Sequence, residues 1–204
     1  MARPPRAVHL DELEAIPGPG TLTWHPVRAH FDLRAFGTNA YSAQRVGDDV
    51  VEPHTEDADY AHEELYFVAR GRATFTLDCE TIDAPAGTYV FVPDPDTHRH
   101  AVAAEPDTAV LSFGGPPTFT PSAWEWGFRA DPLVEAEPQR AREIIEDGLR
   151  VHPDSPGLLI HLARLEVRAG REEEARELVA RALDRQPDAE ELAREDPRLA
   201  ALLA

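Results

Sequence analysis

The chain is predicted to be mainly β in its first part and α at its end, an antiparallel sheet domain followed by a short helical region. Three observations give this class. From Thr21 to Phe113, runs rich in β-branched and aromatic residues are broken at Gly, Pro and Asn, the pattern of several short strands. From Pro138 the apolar period changes from two residues to that of a helix, with Ala141, Ile144, Ile145, Gly148 and Leu149 on one stripe. That helical pattern then repeats after 34 residues, as Ala141, Ile145, Gly148 and Pro153 recur at Ala175, Val179, Ala182 and Pro187.

Taken in order, residues 1–20 form an N-terminal arm in which VHLDELEAI is a short helix before the turn at Pro17–Gly20. Three strands are expected next, TLTWHP, VRAHFDLRAF and NAYSAQRV. In the second, Val27, Ala29, Phe31 and Leu33 make the apolar face, and Arg28, His30, Asp32 and Arg34 face water or another subunit. Residues 47–61 read as a long polar loop. Leu65–Ala69 and Ala73–Leu77 are strands separated at Arg70-Gly71, and Thr88–Val92 is bounded by Gly87 and Pro93. Along such strands His62 and Glu64 share one face, and so do His98 and His100. HRHAVAA and TAVLSF complete the β region, which stops at Gly114–Pro117. Residues 119–137, with Trp124 and Trp126, form a connector to the helices of 138–204.

Composition bounds the function. The net charge is −18, and −14 of it lies before residue 138. Such a surface repels nucleic acid and anionic membranes. Cys79 is the only cysteine, so no internal disulfide forms; it falls in LDCET, read as a hairpin turn. The first residues lack an apolar signal core, and nowhere do 18 apolar residues run together. A soluble cytoplasmic protein is the expectation.

The spacing of a few residues adds a resemblance. Glu64 is followed by six residues and Gly71; Gly87 is followed by five residues and Pro93, and His98 comes five residues later. This resembles the two motifs of the cupin superfamily, with Pro95 where the second glycine of the second motif belongs. The resemblance implies a single cupin barrel over residues 21–118, a small antiparallel jelly roll. It further implies a small-molecule ligand, a homodimer, and a divalent transition metal (Fe, Mn, Ni or Zn) held by imidazoles and a carboxylate.

The first motif departs from its family pattern. The two histidine positions upstream of Glu64 fall on Ala58 and Tyr60, or on Asp57 and Asp59. Two ligand sets therefore stay open: a loop insertion brings His54, with Glu56, to Glu64 and His98, or His62 supplies the imidazole. The candidate metal ligands are His62, Glu64, His98 and His54. In the competing reading Glu64 pairs with Arg72 or Arg99, His98 is a solvated loop residue, and the pocket works without metal.

Within the tail, Leu159, Leu162, Ala163, Ala175, Val179, Ala182 and Pro187 resemble the tetratricopeptide pattern, with Glu166 replacing the usual aromatic. One complete unit is present, so its apolar faces must be covered by the β domain or by another chain. Two functions remain in competition. One is a metal-dependent small-molecule cupin with dioxygenase-like or isomerase-like chemistry. The other is a metal-free binding or sensory module whose tail, residues 138–204, contacts a protein partner.

Overall fold

The structure is a computed structural model that describes residues 7–56, 62–116 and 118–203. The chain divides into two compact units, Met1–Phe119 and Thr120–Ala204.

The first unit opens with a single 3-10 turn, Leu10–Glu12, closed by a capping box between His9 and Glu12. Among the described residues ten strands follow: β1 Ile16–Pro17, β2 Thr23–His25, β3 Gly37–Ala43, β4 Asp49–His54, β5 Glu63–Arg70, β6 Arg72–Leu77, β7 Glu80–Pro85, β8 Tyr89–Val92, β9 Arg99–Ala103 and β10 Thr108–Gly115. They form two antiparallel sheets, of order β1-β2-β3-β10-β5-β8 and β4-β9-β6-β7. From β3 onward, strands that follow one another mostly lie in opposite sheets, and the eight-stranded pattern 3-10-5-8 over 4-9-6-7 is that of a double-sheet jelly roll. The fold class is as expected, with one qualification: the two sheets are not closed into a barrel by hydrogen bonds.

Between the sheets lies one apolar core, built from alternating positions of facing strands. Tyr66 and Val68 of β5, Ala73 and Phe75 of β6, Val90 and Val92 of β8, and Ala101 and Ala103 of β9 belong to it. Phe75 and Val68 are wholly buried, and the Tyr66 and Phe75 rings meet at 5.5 Å. Burial of side chains this size stabilises by about 1.5–3 kcal/mol each. The turn between β5 and β6 needs Gly71, whose φ is +72° and whose missing Cβ would lie 2.9 Å from Thr108 Cα. His25, buried, ties the arm to the sheet by hydrogen bonds with the Glu14 carbonyl and the Ser42 hydroxyl.

Two local expectations are corrected. VRAHFDLRAF is not a strand: Val27–Phe31 is a short helix, α1, ended by Asp32 in the left-handed region. None of its residues is buried, so the alternating pattern has no core face to reward extension. Residues 47–61 are not a loop throughout, because Asp49–His54 pairs with β9 as β4, with register shifts on both sides of Val51. Those irregularities turn both Val50 and Val51 into the core and erase the period-two signal. The expected ligand positions Asp57, Ala58, Asp59 and Tyr60 lie outside the described residues.

In the second unit, the stretch read as a connector contains helix α2, Ala123–Ala130, and a 3-10 turn, Asp131–Leu133. Then come α3 Pro138–Val151, α4 Pro156–Arg168, α5 Glu172–Arg185, α6 Ala189–Arg194 and α7 Pro197–Leu202. Ser155 and Asp196 cap α4 and α7, each with proline in the first turn. Helix α4 is central. Leu158 and Leu165 pack with Ala130, Ala141 and Ile145 in one cluster; Leu159, Ile160 and Ala163 pack with Ala175, Val179, Ala182 and Leu199 in another. Thus α2 on one flank and α6 with α7 on the other cover much of the incomplete repeat from within the helical unit. Gly148 permits this closeness, since a Cβ there would lie 2.7 Å from the Trp126 ring. Glu166, at the family's aromatic position, is buried between Arg142 and Arg171.

Candidate functional site

Polar side chains gather at the β5 start, the β4 end and the β9 start, inside the jelly roll. Glu64 points inward because it shares the face of Tyr66 and Val68, two core residues. The β6–β9 register pairs Leu77 with Arg99, Phe75 with Ala101 and Ala73 with Ala103. Arg99 therefore faces inward beside Leu77 and the core residues of its own strand. The register is fixed at the adjoining turn, where the Asp78 N–H donates to the His98 carbonyl and the His98 N–H donates to the Asp78 carboxylate.

Arg99 is wholly buried, with 0% of its surface exposed, and its donors are engaged. Nη1 donates to Glu64 Oε2 at 2.8 Å, Nη2 to the Asp94 and Pro95 carbonyls, and Nε to the Thr97 carbonyl. The Tyr66 hydroxyl donates to the same Glu64 oxygen at 2.5 Å. His54 Nε2 lies 3.7 Å from that oxygen and 3.9 Å from Glu56 Oε1, while its Nδ1 hydrogen-bonds the Glu52 carbonyl at 2.7 Å. His54, Glu56 and Glu64 each offer a ligand atom within 4.8 Å of the others.

The electrostatics follow from these contacts. Burial alone would raise the Glu64 carboxyl, but the nearby His54 imidazole and the hydrogen bonds from Tyr66 and Arg99 outweigh it and hold the group at about 2. Glu64 is a fixed anion at neutral pH. The Glu64 carboxylate 3.7 Å away raises His54 above its ordinary value against a smaller opposing effect of burial. Burial pushes the Tyr66 phenol up, and the neighbouring Glu64 charge pushes it further, so Tyr66 remains a donor. Tyr41, raised chiefly by burial, belongs to the same electrostatic neighbourhood through Glu52 and Glu64.

Of the four ligands expected from sequence, the structure brings together His54 and Glu64. His62 is half-buried just before β5 and stands outside the His54–Glu56–Glu64 group. His98 is exposed, and His100, instead of sharing an inward face with it, pairs with Asp49 at 2.8 Å. The strand starts at Arg99, so the inward positions are the odd ones. Sequence reading offered Arg72 or Arg99 as the partner of Glu64, and the structure places Arg99 there and Arg72 on Asp83 and Glu105; Tyr66 it missed as a member of the cluster. The alternation of Ala101 and Ala103 with polar neighbours carried the signal for Arg99, which shares their parity.

A resident transition metal of the kind the resemblance implies does not fit this set. Among the described residues one imidazole stands in the group, and the Glu64 oxygen nearest it already accepts from Tyr66 and Arg99. An ion there would stand close to a fixed guanidinium, and two unit positive charges ~4 Å apart repel by about 4 kcal/mol at an effective dielectric near 20. The raised His54 offers a simpler solution. A proton on Nε2 supplies the positive charge that its two carboxylate neighbours require, and metal binding would have to displace it.

Residues 135–204 match the family model described as tetratricopeptide repeat. No curated protein matches the sequence. Three solved structures similar to the chain are KdgF from Halomonas sp., a cupin protein from Bacteroides fragilis, and a sugar phosphate isomerase of the cupin superfamily from Silicibacter pomeroyi. KdgF is 20% identical over 53% of this chain and 92% of its own, with a TM-score of 0.43. The Bacteroides protein is 20% identical over 52% and 84%, at 0.40, and the isomerase 16% identical over 54% and 76%, at 0.44. By its own strand order the β unit is a double-sheet jelly roll, the architecture that cupins share, and it is joined to helices that match the tetratricopeptide repeat.

Proposed function

We propose that the β unit is a metal-free small-molecule binding module and that the helical unit serves protein contact. The observation that carries the first half is the buried Arg99 guanidinium bonded to Glu64, a cation built into the chain where the motif led one to expect a second imidazole ligand. Arg99 is wholly buried and spends four of its five N–H donors on Glu64 and the 94–97 carbonyls, so it is a positioning residue that sets Glu64. His54, Glu56 and Glu64, with 27%, 18% and 13% of their side chains exposed, are the groups left to meet a ligand. Two carboxylates against one imidazole disfavour an anion and suit a neutral, hydroxyl-bearing or cationic molecule. His54 can give or take a proton there, because its ordinary range already lies near neutrality and Glu64 raises it.

The convergence of His54, Glu56 and Glu64 favours a second reading, a divalent ion at these three groups. Elemental analysis of untagged protein, purified without chelator and dialysed after exposure to Fe, Mn, Ni and Zn, separates the two. Well under one metal per chain is expected, with the unfolding midpoint indifferent to chelator. Near one metal per chain, lost in His54→Ala, would replace the metal-free reading by the second.

A further inference from the structure

We propose that a cavity on the outer face of the six-stranded sheet binds a small organic cation free in solution, one that carries a quaternary ammonium group. In an antiparallel sheet with one face on a core, the opposite face normally carries polar side chains. Here the registers set Leu65 of β5 beside Phe91 of β8 and Phe113 of β10. All three have the parity opposite to the core residues Tyr66, Val92 and Val110, so they look outward. Where these strands end, Phe36 and Phe119 join them, and the four rings border a cavity of about 510 Å³. That volume lies within the roughly 300–1,000 Å³ of small-molecule sites. Phe36 approaches Phe113 at 6.5 Å with the ring planes tilted by 49°. Phe36, Phe91 and Phe119 are 47%, 53% and 84% exposed, so their rings are open to a ligand.

The charges around the cavity select that ligand. Among the described residues its lining includes two carboxylates, Glu63 and Glu64, and no basic side chain. Glu63 is exposed at the start of β5. Glu64 lies on the inward face, opposite Gly114, where a Cβ would lie 3.6 Å from Glu64 Oε1. Glycine at 114 thus keeps the space beside Oε1 free of a side chain. The contacts of Glu64 with Tyr66, Arg99 and His54 all fall on the other oxygen, Oε2. An anion would be repelled here, and a purely apolar ligand would cover the carboxylates without pairing them, at a cost in free energy. A cation meets both features, because the faces of aromatic rings also attract positive charge. The net charge of −18 draws cations from a distance as well. A primary ammonium or a guanidinium must replace the hydrogen bonds it gives up to water; a quaternary ammonium has none to replace, and its methyl groups pack on rings. Of the His54–Glu56–Glu64 group only Glu64 borders this cavity, so the proposal goes beyond the metal-free reading and does not depend on it.

The test is isothermal titration calorimetry on the full chain with three probes. These are choline, ethanolamine as a primary ammonium, and dimethylbutanol, the uncharged isostere in which carbon replaces the choline nitrogen. Choline should bind at least ~10-fold more tightly than either of the others. Glu63→Gln and Phe91→Leu, both at exposed positions and both checked for folding by circular dichroism, should each weaken choline by ~3-fold or more. Equal binding of the uncharged isostere would reduce the cavity to an apolar surface and overturn the proposal. So would choline binding that ignores both folded variants, or no heat and no saturation-transfer NMR signal with choline up to millimolar concentration. Vesicles with choline headgroups form the last arm. Binding to them without binding of free choline would assign the rings to a membrane surface, and overturns the proposal of a free ligand.

Discussion

At Arg99, four hydrogen bonds, one of them also the ion pair with Glu64, converge on a side chain with no access to water. Arg99→Met is expected to lower stability by about 3–5 kcal/mol, because it leaves Glu64 buried without its cation and frees the 94–97 carbonyls; urea unfolding measures this. Glu64 also predicts a pH dependence. Its folded value of about 2 lies below the unfolded value near 4.5, so its contribution is present above about 4.5 and is lost as pH falls towards about 2. The loss should be on the order of 3 kcal/mol. His54 runs the opposite way. Its folded value is raised, so its contribution is complete below 6.5 and fades as pH rises through the folded value. Urea midpoints from pH 2 to 9 should therefore fall on both sides of a maximum, and Glu64→Gln should remove most of the acid limb.

At the scale of elements, the strand pairings depend on turns that tolerate little. Gly71→Ala forces a side chain into a left-handed backbone position against Thr108 and should cost about 1–3 kcal/mol, read as a lowered thermal midpoint. Gly87→Ala, at a similar φ with nothing within 4 Å, should cost only the backbone strain and so less. These are the two motif glycines, and that is why the strand layout was legible: each turn carries its own chemical mark in the sequence. The inward face of β9 was less legible. His98 and His100 alternate as well as Arg99 and Ala101 do, and what decides between them is the Asp78–His98 pairing, one backbone bond and one to the Asp78 carboxylate, made by residues 20 positions apart. The short helix α1 was missed because an alternating pattern has meaning only where a core receives one of its faces. His54 could be named as a candidate, but its approach to Glu64 depends on the irregular β4.

At the scale of the whole chain, the division after residue 119 has a consequence for truncation. A fragment beginning at residue 138 loses α2, and with it Trp126 and Ala130, which pack with Ala141, Ile145, Leu158 and Leu165. A fragment of residues 120–204 keeps them. The longer fragment should melt at least ~10 °C above the shorter one, checked by circular dichroism at 222 nm. If both melt alike, α2 contributes nothing to the helical core.

Strand β8 lies at the edge of the six-stranded sheet, with no further strand beside it among the described residues, and its sequence, Tyr-Val-Phe-Val, has the uncharged β-forming character that recruits further strands into aggregates. Immediately after it come Pro93, Asp94, Pro95 and Asp96. Two imide nitrogens that cannot donate and two carboxylates that repel an incoming acidic chain end the sticky edge after four residues. Seen this way, the proline that replaces the motif's second glycine guards the solubility of the edge beside it, and restoring glycine there should make concentrated protein more prone to form fibrils.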